Sequence, residues 1–340
     1  MRRSFVTDHS EVSRQFKVRA IVAGLLSFLL ISALLTRLGW LQIVEYAHFA
    51  GLSKENRVRL MALPPNRGLI YDRNGVILAE NRPTYHLELI PEQIEDVDAT
   101  LQGLGEIVTI SEQNIEQFQT AMRTHRPFES ISLRTRLSEE EVARLSVNRH
   151  RFPGVDIEAR LSRYYPQGKT TAHAVGYVGR ISEKDLNNID VSNYRGTSHI
   201  GKTGLEKYYE EELHGIVGQQ NVEVNAEGRI LRVIDKIPPL PGNNLVLNLD
   251  MELQLTAEQQ LGDFAGAVIV MQPKTGAVLA FVSEPAYDPN LFVHGISFKD
   301  YNALREGDYK PLFNRALFGQ YPPGSTFKPF LGLAAIDSKS

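Results

Sequence analysis

Hydrophobic positions divide the chain into one long apolar run and a series of short alternating or helical segments. The run is Ile21 to Thr36 (IVAGLLSFLLISALLT), uncharged and set between Arg19 and Arg37. Its sixteen residues fall slightly short of a bilayer span, which takes about 20. If Arg37 snorkels its charge outward, Leu38 to Ile43 complete the span and Trp40 takes an interfacial position. A cleaved signal peptide would want small residues at a cleavage site after the run, and Arg37-Leu38-Gly39-Trp40 does not supply them. The pattern predicts an uncleaved signal anchor. No later stretch is comparably long and apolar, so a single pass is expected.

Beyond the anchor the periodicity alternates between strand and helix. Tyr46 to Leu63 reads as a polar continuation of the helix followed by an extended segment ending at Pro64-Pro65. Asn74-Gly75 between apolar runs predicts a hairpin over Asn66–Ala79, with Arg67, Asp72 and Arg73 in surface or half-buried ion pairs. Thr84 to Ile90 alternates as a strand, and Val97 to Thr124 is mainly helical, with a start at Ser111-x-x-Asn114. Ser138 and Glu141 form a capping box for another helix. Arg151-Phe152-Pro153-Gly154-Val155 turns into a strand, and Lys207 to Leu213 is helical. Val222–Val224 and Ile230–Val233 are expected as strands around a turn at Asn225–Gly228. The Pro- and Gly-rich stretch Ile237–Asn244 marks a boundary. After it come a strand at Leu245–Leu249, a helix at Met251–Leu261 and an antiparallel hairpin, Ala265–Met271 with Ala277–Val282. The fold class is α+β.

Composition narrows the classes. The chain has 340 residues, enough for about two domains, and its net charge of -3 gives no case for nucleic-acid binding. There is no cysteine, which removes disulfides, thiol catalysis and thiolate metal sites. His173 has no histidine close to it in sequence, so a core role is expected rather than metal ligation. The tail before the anchor carries Arg2, Arg3, Arg14, Lys17 and Arg19 against Asp8 and Glu11. By the positive-inside rule the tail is cytoplasmic and the rest lies outside.

The candidate chemistry is near the end, in Tyr321-Pro322-Pro323-Gly324-Ser325-Thr326-Phe327-Lys328. If a helix starts at or just before Ser325, Ser325 and Lys328 share a face one turn apart. A serine hydroxyl is a weak nucleophile until a neighbouring base takes its proton, so Ser-x-x-Lys is a nucleophile–base pattern. Taken alone, so short and common a pattern is more often a capped helix with a surface lysine. Four other matches are expected to mislead. Gly196–Thr203 fits the phosphate-loop pattern, but the polar segment Asn187–Arg195 before it is no buried strand. Serine–lysine acyl enzymes carry a Ser-x-Asn and a Lys-Thr-Gly after the Ser-x-x-Lys. Here Ser146-Val147-Asn148, Lys202-Thr203-Gly204 and Lys274-Thr275-Gly276 all precede Ser325, and turn or surface roles are expected for them.

Several motifs in order carry a resemblance. They are the anchor, Arg67-Gly68…Asp72-Arg73-Asn74-Gly75, Arg163-Tyr164-Tyr165-Pro166…His173, Gly204-Leu205-Glu206, Pro273-Lys274-Thr275-Gly276, Asn314-Arg315-Ala316 and Pro323-Gly324-Ser325-Thr326-Phe327-Lys328. Together they resemble class B penicillin-binding proteins, from about Ile21 to the end. Asn56-Arg57, Arg151-Phe152-Pro153-Gly154-Val155 and Tyr287-Asp288-Pro289-Asn290 are similar to the elongation-specific branch of Gram-negative rods.

The resemblance implies a peptidoglycan D,D-transpeptidase with Ser325 as acylated nucleophile and Lys328 as its base, also acylated by beta-lactams, with no metal or organic cofactor. It implies an inner-membrane anchor (21–43) behind a cytoplasmic tail (1–20), an elongated periplasmic pedestal of the dimerisation type (44–242), and the first part of a beta-lactamase-like transpeptidase domain (243–340). Its implied partners are peptidoglycan stem peptides, a RodA-like glycan polymerase and an MreC-like scaffold. Because Ser-x-Asn and Lys-Thr-Gly do not follow Lys328, a truncated form of such an enzyme is expected. The alternative from another class is a non-catalytic anchored module whose pedestal binds partners.

Overall fold

The computed structural model describes residues 9–45, 57–225 and 229–338. Arg2 and Arg3, the expected helical continuation at 46–56 and the turn residues 226–228 lie outside that set. The chain forms two compact units, residues 1–61 with 221–235, and residues 62–220 with 236–340.

In the first unit a helix runs His9–Gly39 and continues as a π-helical turn, Trp40–Val44. Its apolar window, Arg19–Ile43, is 25 residues long and none of it is buried against protein. An apolar helix with no packed face is suited to lipid rather than to a core. The strand Gly218–Val224 lies between Val58–Leu63 and Ile230–Ile237 in a three-stranded sheet. Both strands expected on either side of the 225–228 turn are therefore present.

The second unit is built on one long strand, Ile77–Leu89. It pairs antiparallel with Val155–Tyr164 on one side, in continuous register from Glu80↔Tyr164 to Leu89↔Val155, and with Ile131–Leu137 on the other. Helices Val97–Gly105, Glu112–Thr124 and Glu139–Asn148 contribute to a core around Leu87, Leu104, Phe118, Leu133 and Leu145. Each helix begins where a side chain satisfies free amides. Asp96 accepts from Ala99, and Ser111–Asn114 and Ser138–Glu141 cap reciprocally, the latter two as the sequence predicts.

The hairpin predicted at Asn74-Gly75 forms between Ile70–Tyr71 and the long strand, with Gly75 at φ +86°. The ion pairs expected of its three charged residues need correction. Asp72 is fully buried and works as a backbone acceptor, from Asn74 N–H at 2.8 Å, Val76 N–H at 2.7 Å and Met251 N–H at 3.1 Å. A carboxylate has acceptor positions for all three, and the turn presents the amides without a side-chain cation. The Arg73 amide donates to Leu249 O at 2.9 Å. Arg67 does pair, with partners far along the chain described below.

The Pro- and Gly-rich stretch is sewn into the sheet system rather than free. Leu240 and Pro241 pair with Ile216 and Gly215, Gly242 N–H donates to Asn66 O, and Leu245 pairs in parallel with Ile70. The helix Met251–Leu261, capped by Asp250, packs on the hairpin Gly266–Met271/Val278–Glu284 through Ala257, Ala280 and Val282. Gln254, fully buried, fastens it. Its amide nitrogen donates to Thr170 O and Phe281 O, and its oxygen accepts from Phe281 N–H at 2.7 Å. The far side of the hairpin stays open, with Phe264, Ile269 and Met271 exposed.

Candidate active site

Ser325 does not sit in an α-helix. It lies in a 3-10 turn, Gly324–Phe327, that follows Pro323 and precedes the helix Lys328–Asp337. The cause is Pro329. An α-helical bond to the Ser325 carbonyl would come from residue 329, which as proline has no N–H. The Lys328 N–H donates to that carbonyl instead. In a 3-10 turn residues i and i+3 eclipse, so the Ser325 and Lys328 side chains leave the backbone on the same side. Gly324 takes φ +56°, a left-handed value suited to glycine, as the chain enters the turn. Ser325, Lys328 and the apolar helix through Ile336 are all exposed, and neither site side chain has a hydrogen-bond partner among the described residues. The arrangement supplies a hydroxyl and an amine on one face. A desolvating wall, which a neutral lysine base requires, is not formed by the described residues.

Specific polar bonds fix the segment that leads into this turn. Asn314 caps the short helix Arg315–Phe318, accepting from Leu317 N–H, and donates to His173 O at 3.1 Å. The Arg315 N–H donates to the buried Ser283 hydroxyl at 2.9 Å, which ties the segment to the strand Val278–Glu284. His173 stacks edge-on against Tyr287 at 5.2 Å. Burial pushes its imidazole down to about 4, so it is a neutral packed histidine, as expected.

A second polar centre holds the two halves of this unit together. Glu206 is fully buried, and burial alone would raise its carboxyl, but Arg67 and Arg163 outweigh that and hold it below the usual range. Arg67 Nε donates to Glu206 at 2.8 Å and Nη2 to Glu210 at 2.7 Å. Arg163 Nε donates to Glu206 at 2.7 Å and Nη1 to Gly68 O at 2.7 Å. Tyr165 Oη donates to Glu206 at 3.2 Å and accepts from Val178 N–H at 2.9 Å, while its backbone N–H and C=O bond the Asn290 side chain. The expected helix Lys207–Leu213 is accordingly two short helices, Gly204–Tyr208 and Glu210–His214, broken at Tyr209. Arg67, Arg163 and Glu206 are quoted above in motifs. Their convergence is what sequence reasoning missed, because 139 residues separate Arg67 from Glu206.

The misleading motifs resolve physically. Residues 199–201 of the phosphate-loop match form a strand, and a Cβ on Gly201 would lie 2.1 Å from the Glu206 carbonyl oxygen. That backbone is packed on protein and has no opening for a phosphate. Lys202 is half-buried and paired with Asp185, and Thr203 and Gly204 beside it are exposed, with Gly204 at φ +59°, in keeping with the turn or surface role expected. Lys274–Gly276 forms the exposed hairpin turn, with Gly276 at φ +75°. Ser146 and Asn148 bond carbonyls of their own helix.

Comparison with known proteins gives the same sequence of parts. The model of the penicillin-binding protein dimerisation domain matches residues 62–247, and that of the penicillin-binding protein transpeptidase domain matches residues 266–340. The peptidoglycan D,D-transpeptidase MrdA of Escherichia coli K12 is 44% identical over 336 residues, covering 97% of this chain and 53% of the relative. The enzyme of the same name from Acinetobacter baumannii is 43% identical over 329 residues, with 97% and 49% covered. The structure titled Pseudomonas aeruginosa PBP2 in complex with WCK 5153 aligns at 38% identity and TM-score 0.54, covering 82% of this chain and 42% of that one. The Helicobacter pylori complex between PBP2 and MreC aligns at 29% identity and TM-score 0.67, covering 82% and 53%. The chain spans about half the length of the curated relatives it matches.

Proposed function

The chain belongs to the penicillin-binding protein family, and from that premise we propose that it is the N-terminal part of a peptidoglycan D,D-transpeptidase of cell-wall elongation. The observation that carries this reading is the 44% identity to D,D-transpeptidase MrdA along 97% of the chain. The proposed division places a cytoplasmic tail at 1–20, the anchor at 21–43, a periplasmic pedestal at 44–242 and the first part of the transpeptidase domain at 243–340.

In this reading Ser325 Oγ attacks the carbonyl of the penultimate D-alanine of a stem peptide. The Oγ–C bond forms, the amide C–N bond breaks, and terminal D-alanine leaves with a proton. Lys328 accepts the serine proton first, which requires the neutral amine and hence a dry surrounding. The backbone N–H of Ser325 is one oxyanion donor. An amine of a second stem then displaces the serine and restores the hydroxyl. Beta-lactams would acylate the same oxygen. The eclipsed 3-10 geometry supports the pairing of the two residues.

An MreC-like scaffold is the proposed pedestal partner, on the analogy of the Helicobacter pylori complex, with a RodA-like polymerase as a further one in the inner membrane. Pull-down of a RodA-like polymerase by the full chain, and its loss when the pedestal is deleted, tests that assignment. A second reading has its own observation. Ser325 and Lys328 are exposed and without side-chain partners among the described residues, which favours the 340-residue chain acting as an anchored binding module. Fluorescent-penicillin labelling separates the two: covalent label on Ser325 of the 340-residue chain supports catalysis in this form, and none supports the module.

A further inference from the structure

Residues 290–294 are fastened to the strands of the second unit along a seam that contains three imidazoles. The Asn290 side chain bonds both backbone groups of Tyr165, at 2.9 and 3.0 Å. His199, on the hairpin Val178–Arg180/His199–Gly201, donates from Nε2 to Val293 O at 2.7 Å, so its Nδ1 accepts from the Ser198 hydroxyl at 2.8 Å. His294 Nε2 lies 3.4 Å from Ser162 Oγ, on the strand Val155–Tyr164. His86, on the long strand, completes the cluster, and all three rings line one groove of about 1020 Å³. Val293 packs in the same core as Val178, so apolar burial holds the seam as well.

The formal charges that bear on these rings are cations or are already paired. Arg180 on the hairpin and Arg136 on the strand Ile131–Leu137 both act on His294. Arg180 and Lys202 act on His199, and Arg160 acts on His86. The carboxylates beside them are taken: Glu158 by Arg160 at 2.5 Å, and Asp185 by Lys202. Burial first, and then these cations, hold all three imidazoles below their ordinary value, His294 down to about 4. Neutral rings therefore close the seam without electrostatic cost. A charged His294 would face His199, His86, Arg180 and Arg136, and like charges repel more strongly where water is partly excluded. An imidazole released to water takes its proton near pH 6.5. Acidification below that value thus favours the released segment over the fastened one.

We propose that this seam is an acid-sensitive latch: protonation of His294, together with His199 and His86, sets cation against cation across it and releases residues 290–294 from the strands that hold them. The proposal is independent of the acylation chemistry at Ser325.

The test is hydrogen exchange of the full chain in detergent at about pH 7.5 and about pH 5, read by mass spectrometry and corrected for intrinsic rates. Peptides covering 290–297 should lose about tenfold or more of their protection at the lower pH, while those covering the helix Val97–Gly105 keep theirs. His294→Gln, which takes no charge, should keep protection of 290–297 at the lower pH. His294→Lys, charged throughout, should lose it already at the higher one. Circular dichroism and unchanged exchange in Val97–Gly105 establish that both variants are folded. His173, edge-on to Tyr287, is the other neutral imidazole of the region, and His173→Gln should leave the effect intact. Protection at 290–297 that is indifferent to pH, that is lost equally in His294→Gln, or that falls in step with Val97–Gly105 would each overturn the proposal. So would an effect abolished by His173→Gln, which would belong to that residue instead.

Discussion

The carbonyl of Ser325 accepts its hydrogen bond from the amide of Lys328, three residues on, because the next residue is a proline with no amide to give. That bond keeps the two side chains eclipsed. Pro329→Ala restores an amide at the α-helical position and allows the turn to relax toward α geometry, which rotates the pair out of line. The expected result is acylation by penicillin slowed about tenfold or more, since misplacement of reacting groups by about 1 Å is that costly. The measurement is the acylation rate in a chimera that continues this chain after Ser340 with the rest of the Escherichia coli relative's transpeptidase domain. An unchanged rate would mean the 3-10 turn plays no part in aligning the pair.

Glu206 is the shared acceptor of Arg67, Arg163 and Tyr165. Glu206→Ala leaves two buried guanidinium groups facing each other and should destabilise the protein by roughly 3–5 kcal/mol. Glu206→Gln keeps acceptors and shape and should cost less. Urea unfolding of both variants checks the order, and a near-neutral Glu206→Ala would contradict a structural role for the cluster.

Stability should fall on acidification. Burial holds His173 and His294 down to about 4 when folded, against 6.5 for a free imidazole. Below about 6.5 the unfolded chain binds protons that the folded chain refuses, so stability is complete above that pH and is lost progressively toward pH 4. Glu206, whose carboxyl is held low by Arg67 and Arg163, acts in the same direction further down. His173 contributes roughly 3 kcal/mol at most, at about 1.4 kcal/mol per unit, and the half-exposed His294 contributes less because solvent screens it. His173→Gln should flatten the dependence of the urea midpoint on pH between 6.5 and 4; an unaltered slope would show that His173 is not protonated on unfolding there.

Asp72 joins the first hairpin to a helix far along the chain, through Asn74, Val76 and Met251. Asp72→Ala strands three amides and should cost roughly 3 kcal/mol or more, while Asp72→Asn, which keeps one acceptor oxygen, should cost less. Hydrogen exchange at Met251 should rise in Asp72→Ala. Protection unchanged at Met251 would exclude the cross-link.

Local determinants were legible in the sequence. The caps at Ser111 and Ser138, the Asn74-Gly75 turn and the helix Met251–Leu261 depend on residues within a few positions of one another, and each formed where the pattern places it. Long-range polar convergence was not legible. Nothing near Arg67 in sequence shows that its partner is Glu206, and Asp72 reads as one of three hairpin charges until Met251 arrives beneath it. At the candidate site the Ser-x-x-Lys spacing was plain, but the turn type depended on the proline that follows it.

The central claim is that Ser325 is the nucleophile and Lys328 its base. The direct measurement is fluorescent-penicillin labelling of the chimera with a complete transpeptidase domain, followed by peptide mapping of the adduct. The account predicts one adduct on Ser325, none in Ser325→Ala, and labelling slowed at least about a hundredfold in Lys328→Ala. An adduct mapped to any other residue, or labelling that survives Ser325→Ala, would contradict it.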